Sequence, residues 1–138
     1  MLREEGLQNV FKRHARHGEA TRRAVSAWGL ENVALDPKEF SNSVTAVNIP
    51  VGHSADEFRR VVLERFNMAL GSGLGKLQDK VFRIGHLGDF NDLMLAGTLG
   101  GVEMGLELAG VPHRKGGVAA GLDYLTESLK DVATPALV

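Results

Sequence analysis

A chain of 138 residues with no cysteine and a formal net charge of -1 has narrow chemical options. Disulfides, thiolate catalysis and sulfur-ligated zinc are excluded. So balanced a surface gives no electrostatic hold on nucleic acid or on an anionic membrane.

The length suits one domain with a real core. No apolar run is long enough to span a bilayer. Met1-Leu2-Arg3-Glu4-Glu5 lacks the apolar core of a signal peptide, and a reducing cytoplasm is the expected setting. Neither an internal repeat nor a low-complexity linker is present.

From Leu2 to Trp28 the pattern is helical, with Leu7, Val10, Phe11, Ala15, Val25 and Trp28 at helical spacings. Gly18 weakens the middle and permits a bend. Gly29 is placed as the C-terminal cap. Lys12, Arg13, Arg16, Arg22 and Arg23 interleave with acidic residues and read as a solvated face. His14 and His17, three apart, could face one metal ion, but no third ligand stands near. They read as surface histidines.

Val33-Ala34-Leu35 suggests a short edge strand, and Ser43 to Ile49 a firmer one ended by Pro50. Ser54-Ala55-Asp56-Glu57 has the form of a capping box, in which Ser54 takes the Glu57 amide and Glu57 reaches back. The helix after it runs to Phe66 over Phe58, Val61, Val62 and Phe66, with Arg59 and Arg60 solvated. Met68 to Gly71 reads as a strand. Gly71-Ser72-Gly73-Leu74-Gly75 lacks the spacing and the Lys-Ser/Thr of a phosphate loop, and reads as a flexible hairpin connection.

The next stretch organises the chain: Val81-Phe82-Arg83-Ile84-Gly85-His86-Leu87-Gly88-Asp89. Alternation puts Phe82 and Ile84 on one strand face, Val81 and Arg83 on the other. A guanidinium there can grip a carboxylate through two parallel hydrogen bonds. On the residues alone, a surface arginine paired with a nearby carboxylate is the plainer reading. His86 suits a turn or interdomain hydrogen bond. Asp89 and Asp92 read as helix-start residues rather than catalytic acids.

Asp89 or Asn91 then caps a helix to Leu108, apolar around much of its surface, whose Ala96, Gly97, Gly100, Gly101 and Gly105 permit close packing. Gly110-Val111-Pro112 stops it. A last helix over Gly117 to Lys130 buries Val118, Leu122, Leu125 and Leu129. The tail from Asp131 to Val138 reads as frayed. Neighbouring strands with short connections predict an α+β domain. It has a small antiparallel or mixed sheet with helices packed on one face, preceded by a long connector helix.

From Glu4-Glu5-Gly6-Leu7 through Leu125, the chain resembles the C-terminal small domain of class V (fold-type I) pyridoxal-phosphate aminotransferases, in the serine–glyoxylate and alanine–glyoxylate branch. The matching segments are Arg13-His14-Ala15-Arg16, Ala27-Trp28-Gly29-Leu30, Val44-Thr45-Ala46-Val47, Gly73-Leu74-Gly75 and, above all, Val81 to Asp89. Their order and spacing together are specific.

The resemblance implies that Arg83 binds the substrate α-carboxylate. It implies residues 1–29 as connector helix, 30–130 as the small α+β domain and 131–138 as tail, with a large N-terminal cofactor domain absent. It further implies pyridoxal 5'-phosphate as cofactor and a homodimeric parent acting by ping-pong on a small amino acid and a 2-oxo acid. Its donor is serine or alanine, and its acceptor glyoxylate or a pyruvate-like acid. None of Lys12, Lys38, Lys76, Lys80, Lys115 and Lys130 stands in the context of the cofactor lysine. The chain alone is therefore expected to have no catalytic residue, no cofactor-binding residue and no metal site, and to be inactive. The alternatives are a free-standing α+β module that captures small carboxylates through Arg83 without catalysis, and an interaction domain using the glycine-lined helix.

Overall fold

The structure is a computed structural model and describes residues 2–130. A short helix α1 (Leu2–Glu5) precedes the long α2 (Leu7–Trp28). The break between them is at Gly6, with φ 84°, and α2 runs unbroken through Gly18. Gly18 serves another purpose. It is buried, and a Cβ there would press on Arg22 Nη1 at 3.0 Å and rest against the Asn42 backbone at 3.4 Å, so glycine leaves room for the Arg22 side chain beside the loop before β2. Gly29 closes α2 in the left-handed region. Its amide bonds Ser26 O and that of Leu30 bonds Val25 O, the paired bonds of a Schellman cap.

Four strands follow: β1 (Glu31–Asn32), β2 (Val44–Asn48), β3 (Gly71–Ser72) and β4 (Val81–Gly85). They form one antiparallel sheet in the order β1-β2-β4-β3. The first edge strand lies two residues earlier than Val33–Leu35, although Val33 N still bonds Ala46 O. The other shrinks to Gly71–Ser72, because Met68 packs against the core instead of pairing.

Helix α3 (Ala55–Phe66) lies between β2 and β3, and α4 (Asp92–Leu108) and α5 (Gly117–Lys130) follow β4. Thr45, Val47, Phe82 and Ile84 form the inner face of the sheet and are buried with Trp28, Phe58, Val62, Leu95, Leu99 and Leu106. The opposite face carries Val44, Ala46, Asn48, Val81, Arg83 and Gly85. The expected α+β fold with helices on one face is observed, and of the antiparallel and mixed alternatives the sheet is antiparallel.

Several side chains depart from expectation. Leu7 and Phe11 are outside the core, Phe11 at 58% exposure, while His14, His17 and Thr21 are buried in their place. Ser54 accepts from Glu57 N at 3.0 Å, but Glu57 turns to Arg60. The reciprocal role falls to Asp79, which takes the Ser54 hydroxyl and Asp56 N. Arg59 is half-buried and donates to Leu70 O at 2.8 Å. In α5 the buried face is Gly117, Gly121 and Leu125, with Leu122 and Leu129 outside it. The region Asp131–Val138 lies outside the described residues.

Candidate functional site

Arg83 is in the middle of β4, flanked in register by Ala46 on β2 and Gly71 on β3. Both neighbours are small, so the arginine rises from a low floor. Its Nε donates to Ser72 O at 2.8 Å. The stem lies against Gly71, where an added Cβ would stand 3.0 Å from Arg83 Cβ and Nε. Arg83 is half-buried rather than fully exposed, and its two terminal amino groups bond no described residue. Among the described residues no carboxylate pairs with it. Held at Nε and open at both Nη atoms, the guanidinium has its paired donors left for a ligand carboxylate.

Gly71–Gly75 reads in the sequence as a flexible connection, yet it is what seats the arginine. In the structure Gly71 makes space for the stem and Ser72 supplies the carbonyl. Gly73 is tight as well, since a Cβ there would lie 2.0 Å from Leu77 O. A glycine paired across the strand from an arginine was the available signal.

The turn after β4 is pinned to α2. Arg13 Nη1 donates to Gly88 O and Phe90 O, both at 2.8 Å. Gly88 N donates to His14 Nε2 at 3.0 Å, and His14 Nδ1 donates to Val10 O, which fixes that ring as the neutral Nδ1–H tautomer. Arg16 and His17 both hold Asp92, which stands at the start of α4 where the helix dipole favours a carboxylate. Desolvation works against the charged Asp92, but hydrogen bonds from Arg16 and His17 outweigh it and keep the carboxyl below its ordinary range. Burial pushes His17 below its ordinary value despite that carboxylate. The solvated face expected for these histidines and arginines is instead packed against the rest of the domain. They fasten the connector helix to the segment that follows Arg83. No cluster of three metal-ligating side chains occurs among the described residues.

His86 is fully buried. Its Nδ1 donates to Asn42 O at 3.0 Å and its Nε2 accepts from Thr45 Oγ1 at 2.9 Å, so its bonds stay inside this domain. Asn91, not Asp89, caps α4 by accepting from Met94 N at 2.8 Å.

No family model matches the chain. It is 51% identical over 126 residues to the serine–glyoxylate aminotransferase of Arabidopsis thaliana, covering 91% of this chain and 31% of that protein. The L-aspartate–glyoxylate aminotransferase of Paracoccus denitrificans is 42% identical, with coverage of 90% and 32%. Over about nine-tenths of its length the chain is similar to these glyoxylate aminotransferases. Its fold is their small-domain fold. The structure of ureidoglycine–glyoxylate aminotransferase from Bacillus subtilis superposes with a TM-score of 0.82 at 30% identity, covering 89% of this chain and 32% of that one. Pyridoxamine–pyruvate aminotransferase from Mesorhizobium loti gives 0.84 at 29%, covering 91% and 32%. The chain thus spans about a third of the length of the aminotransferases it matches.

Proposed function

We propose that this chain is the substrate-gripping small domain of a pyridoxal-phosphate aminotransferase that moves an amino group from serine or alanine to glyoxylate or a pyruvate-like acid. Residues 1–29 are its connector helix and 30–130 its small domain, and Arg83 anchors the α-carboxylate. The observation that carries this reading is the arginine itself, held at Nε by Ser72 O, with both Nη groups uncommitted above the small residues Gly71 and Ala46. A carboxylate bound there gains two charge-assisted hydrogen bonds, and its α-carbon is fixed in direction by the plane of the fork.

This chain's own residues do not fit the cofactor. A lysine that forms a Schiff base is activated in a desolvated seat, and all six lysines here are exposed. The cofactor, which supplies the electron sink for amino transfer, is therefore assigned to a separate large domain. This domain contributes binding and orientation. Pyridoxal phosphate added to the chain alone and then desalted should leave no bound absorption band.

The test of the carboxylate role is Arg83→Lys. Lysine keeps the charge but loses both the Nε bond to Ser72 O and the planar fork. In the transaminating protein that contains this domain, KM for the amino donor should rise by roughly 10-fold or more, with Tm nearly unchanged. An unchanged KM would remove Arg83 from the substrate site.

A further inference from the structure

A groove lies on the helical side of the domain. With a volume of about 440 Å³, it is bounded by Phe66 at the end of α3, by Met104, Glu107 and Leu108 on α4, and by His113 and Lys115 in the loop before α5. Its walls are mainly apolar, and Met104 and Leu108 are each more than half exposed.

Its inner end carries an unusual polar group. The His113 side chain is only 5% exposed. Its Nδ1 lies 2.7 Å from Val111 O, and since a carbonyl can only accept, Nδ1 carries the proton. In the neutral ring Nε2 therefore presents a lone pair, and this buried atom has no hydrogen-bond partner. The facing group is Glu107 Oε2 at 3.7 Å, another acceptor and too distant for a hydrogen bond. Glu103, also on the groove, has its oxygens engaged by Trp28 Nε1, Gly116 N and Val118 N. With the ring neutral, two uncommitted acceptors face each other beside the apolar wall of the groove. Lys115, the cationic group of the groove, is exposed.

We propose that this groove binds a small hydrophobic primary amine. Its ammonium nitrogen donates to both His113 Nε2 and the Glu107 carboxylate, and its apolar body covers Phe66, Met104 and Leu108. An ammonium has three donors and no acceptor, so it can satisfy two acceptors this close together. A neutral apolar molecule would leave Nε2 unpaired, and an acid would set a third acceptor against the first two. Glu107 is 62% exposed and free to swing aside as the ligand enters.

The probe is phenethylamine, titrated into the full chain by NMR while the His113 ring and Met104 methyl signals are followed. Saturable shifts of both are expected, with a dissociation constant on the order of 1 mM, the reach of so small a ligand. Phenylacetate should leave the signals in place. Glu107→Gln, an exposed change that spares the fold, should weaken binding by about 5-fold or more. Absence of shifts up to the solubility limit, equal shifts with phenylacetate, or full affinity in Glu107→Gln would each overturn the proposal.

Discussion

Gly71 is the seat of Arg83. The two residues are paired across β3 and β4, and a Cβ at Gly71 would come within 3.0 Å of Arg83 Nε. Gly71→Ala should therefore displace the guanidinium by a few tenths of an ångström and strain its bond to Ser72 O. The backbone of Gly71 is not in the left-handed region, so the cost to folding should stay within about 1 kcal/mol. The expected signature is a raised KM for the amino donor with little change in Tm, at a residue that need not touch substrate. If KM stays constant and the Arg83 Nε–H resonance does not move, the glycine is not what positions the arginine.

The pattern of this fold was legible where a residue's local chemistry decided its place. Gly29 as a cap, Phe82 and Ile84 as the inner strand face, and Asn91 as a helix start follow from side-chain size and hydrogen-bonding capacity. What escaped was long-range. Histidine carries no apolar signal, so nothing in the spacing of His14 and His17 announced that their partners stand at Gly88 and Asp92, about 75 residues on. Phe11 read as core because helical periodicity gives a face but not which part of it is covered. Arg83 was visible as a candidate clamp, whereas the carbonyl that aims it was not. A backbone acceptor leaves no mark in a sequence.

His86 makes acid stability a measurable property of this core. Burial first, opposed by the hydrogen bond to Asn42 O, pushes its imidazole down to about 4 from an ordinary 6.5. The folded state thus prefers the neutral ring. Its contribution is fully present above pH 6.5 and is lost as pH falls toward 4, because the unfolded chain takes up a proton that the folded chain refuses. A depression of this size is worth about 3 kcal/mol at neutral pH. The urea midpoint should fall steadily between pH 6.5 and 4. NMR titration of the ring should find it neutral at pH 5, and a ring already protonated there would contradict the assigned bonds.

Glu103 links three elements through one carboxylate. It accepts from Trp28 Nε1 at 2.8 Å and from Gly116 N and Val118 N at 3.0 and 2.9 Å, so it joins α2 to α4 and caps α5 from outside that helix. Burial disfavours its charge, but these three donors hold the carboxyl below its ordinary value. Glu103→Gln keeps the shape but turns an amide NH2 toward donors. We expect a loss of about 2 kcal/mol in urea and a shift in Trp28 fluorescence. The variant should also lose less stability than the wild type on acidification below about pH 4.5, where this carboxylate's contribution fades. A variant as stable as the wild type, with unchanged tryptophan emission, would show the cap to be dispensable.

The glycines of α4 differ in the room beside them, and a single substitution series separates them. At Gly105 an added Cβ would lie 2.4 Å from Val62 Cγ2 and 3.0 Å from Phe58 Cε2, both on fully buried side chains with nowhere to retreat. Gly105→Ala should therefore cost about 1–3 kcal/mol through overpacking between α3 and α4. At Gly97 and Gly100 nothing lies within 4 Å of the added carbon. Alanine at either position restricts the unfolded chain and favours the helix without meeting a neighbour, and should stabilise by roughly 0.5–1 kcal/mol. Gly101 falls between, since the intruding group is the mobile end of Met68 at 2.7 Å and can swing away. Urea midpoints of the four alanine variants should rank Gly97 and Gly100 above the wild type, Gly101 near it and Gly105 well below. Loss of stability at Gly97 or Gly100 would mean that their faces are occupied in solution, and would point to a partner packed along α4.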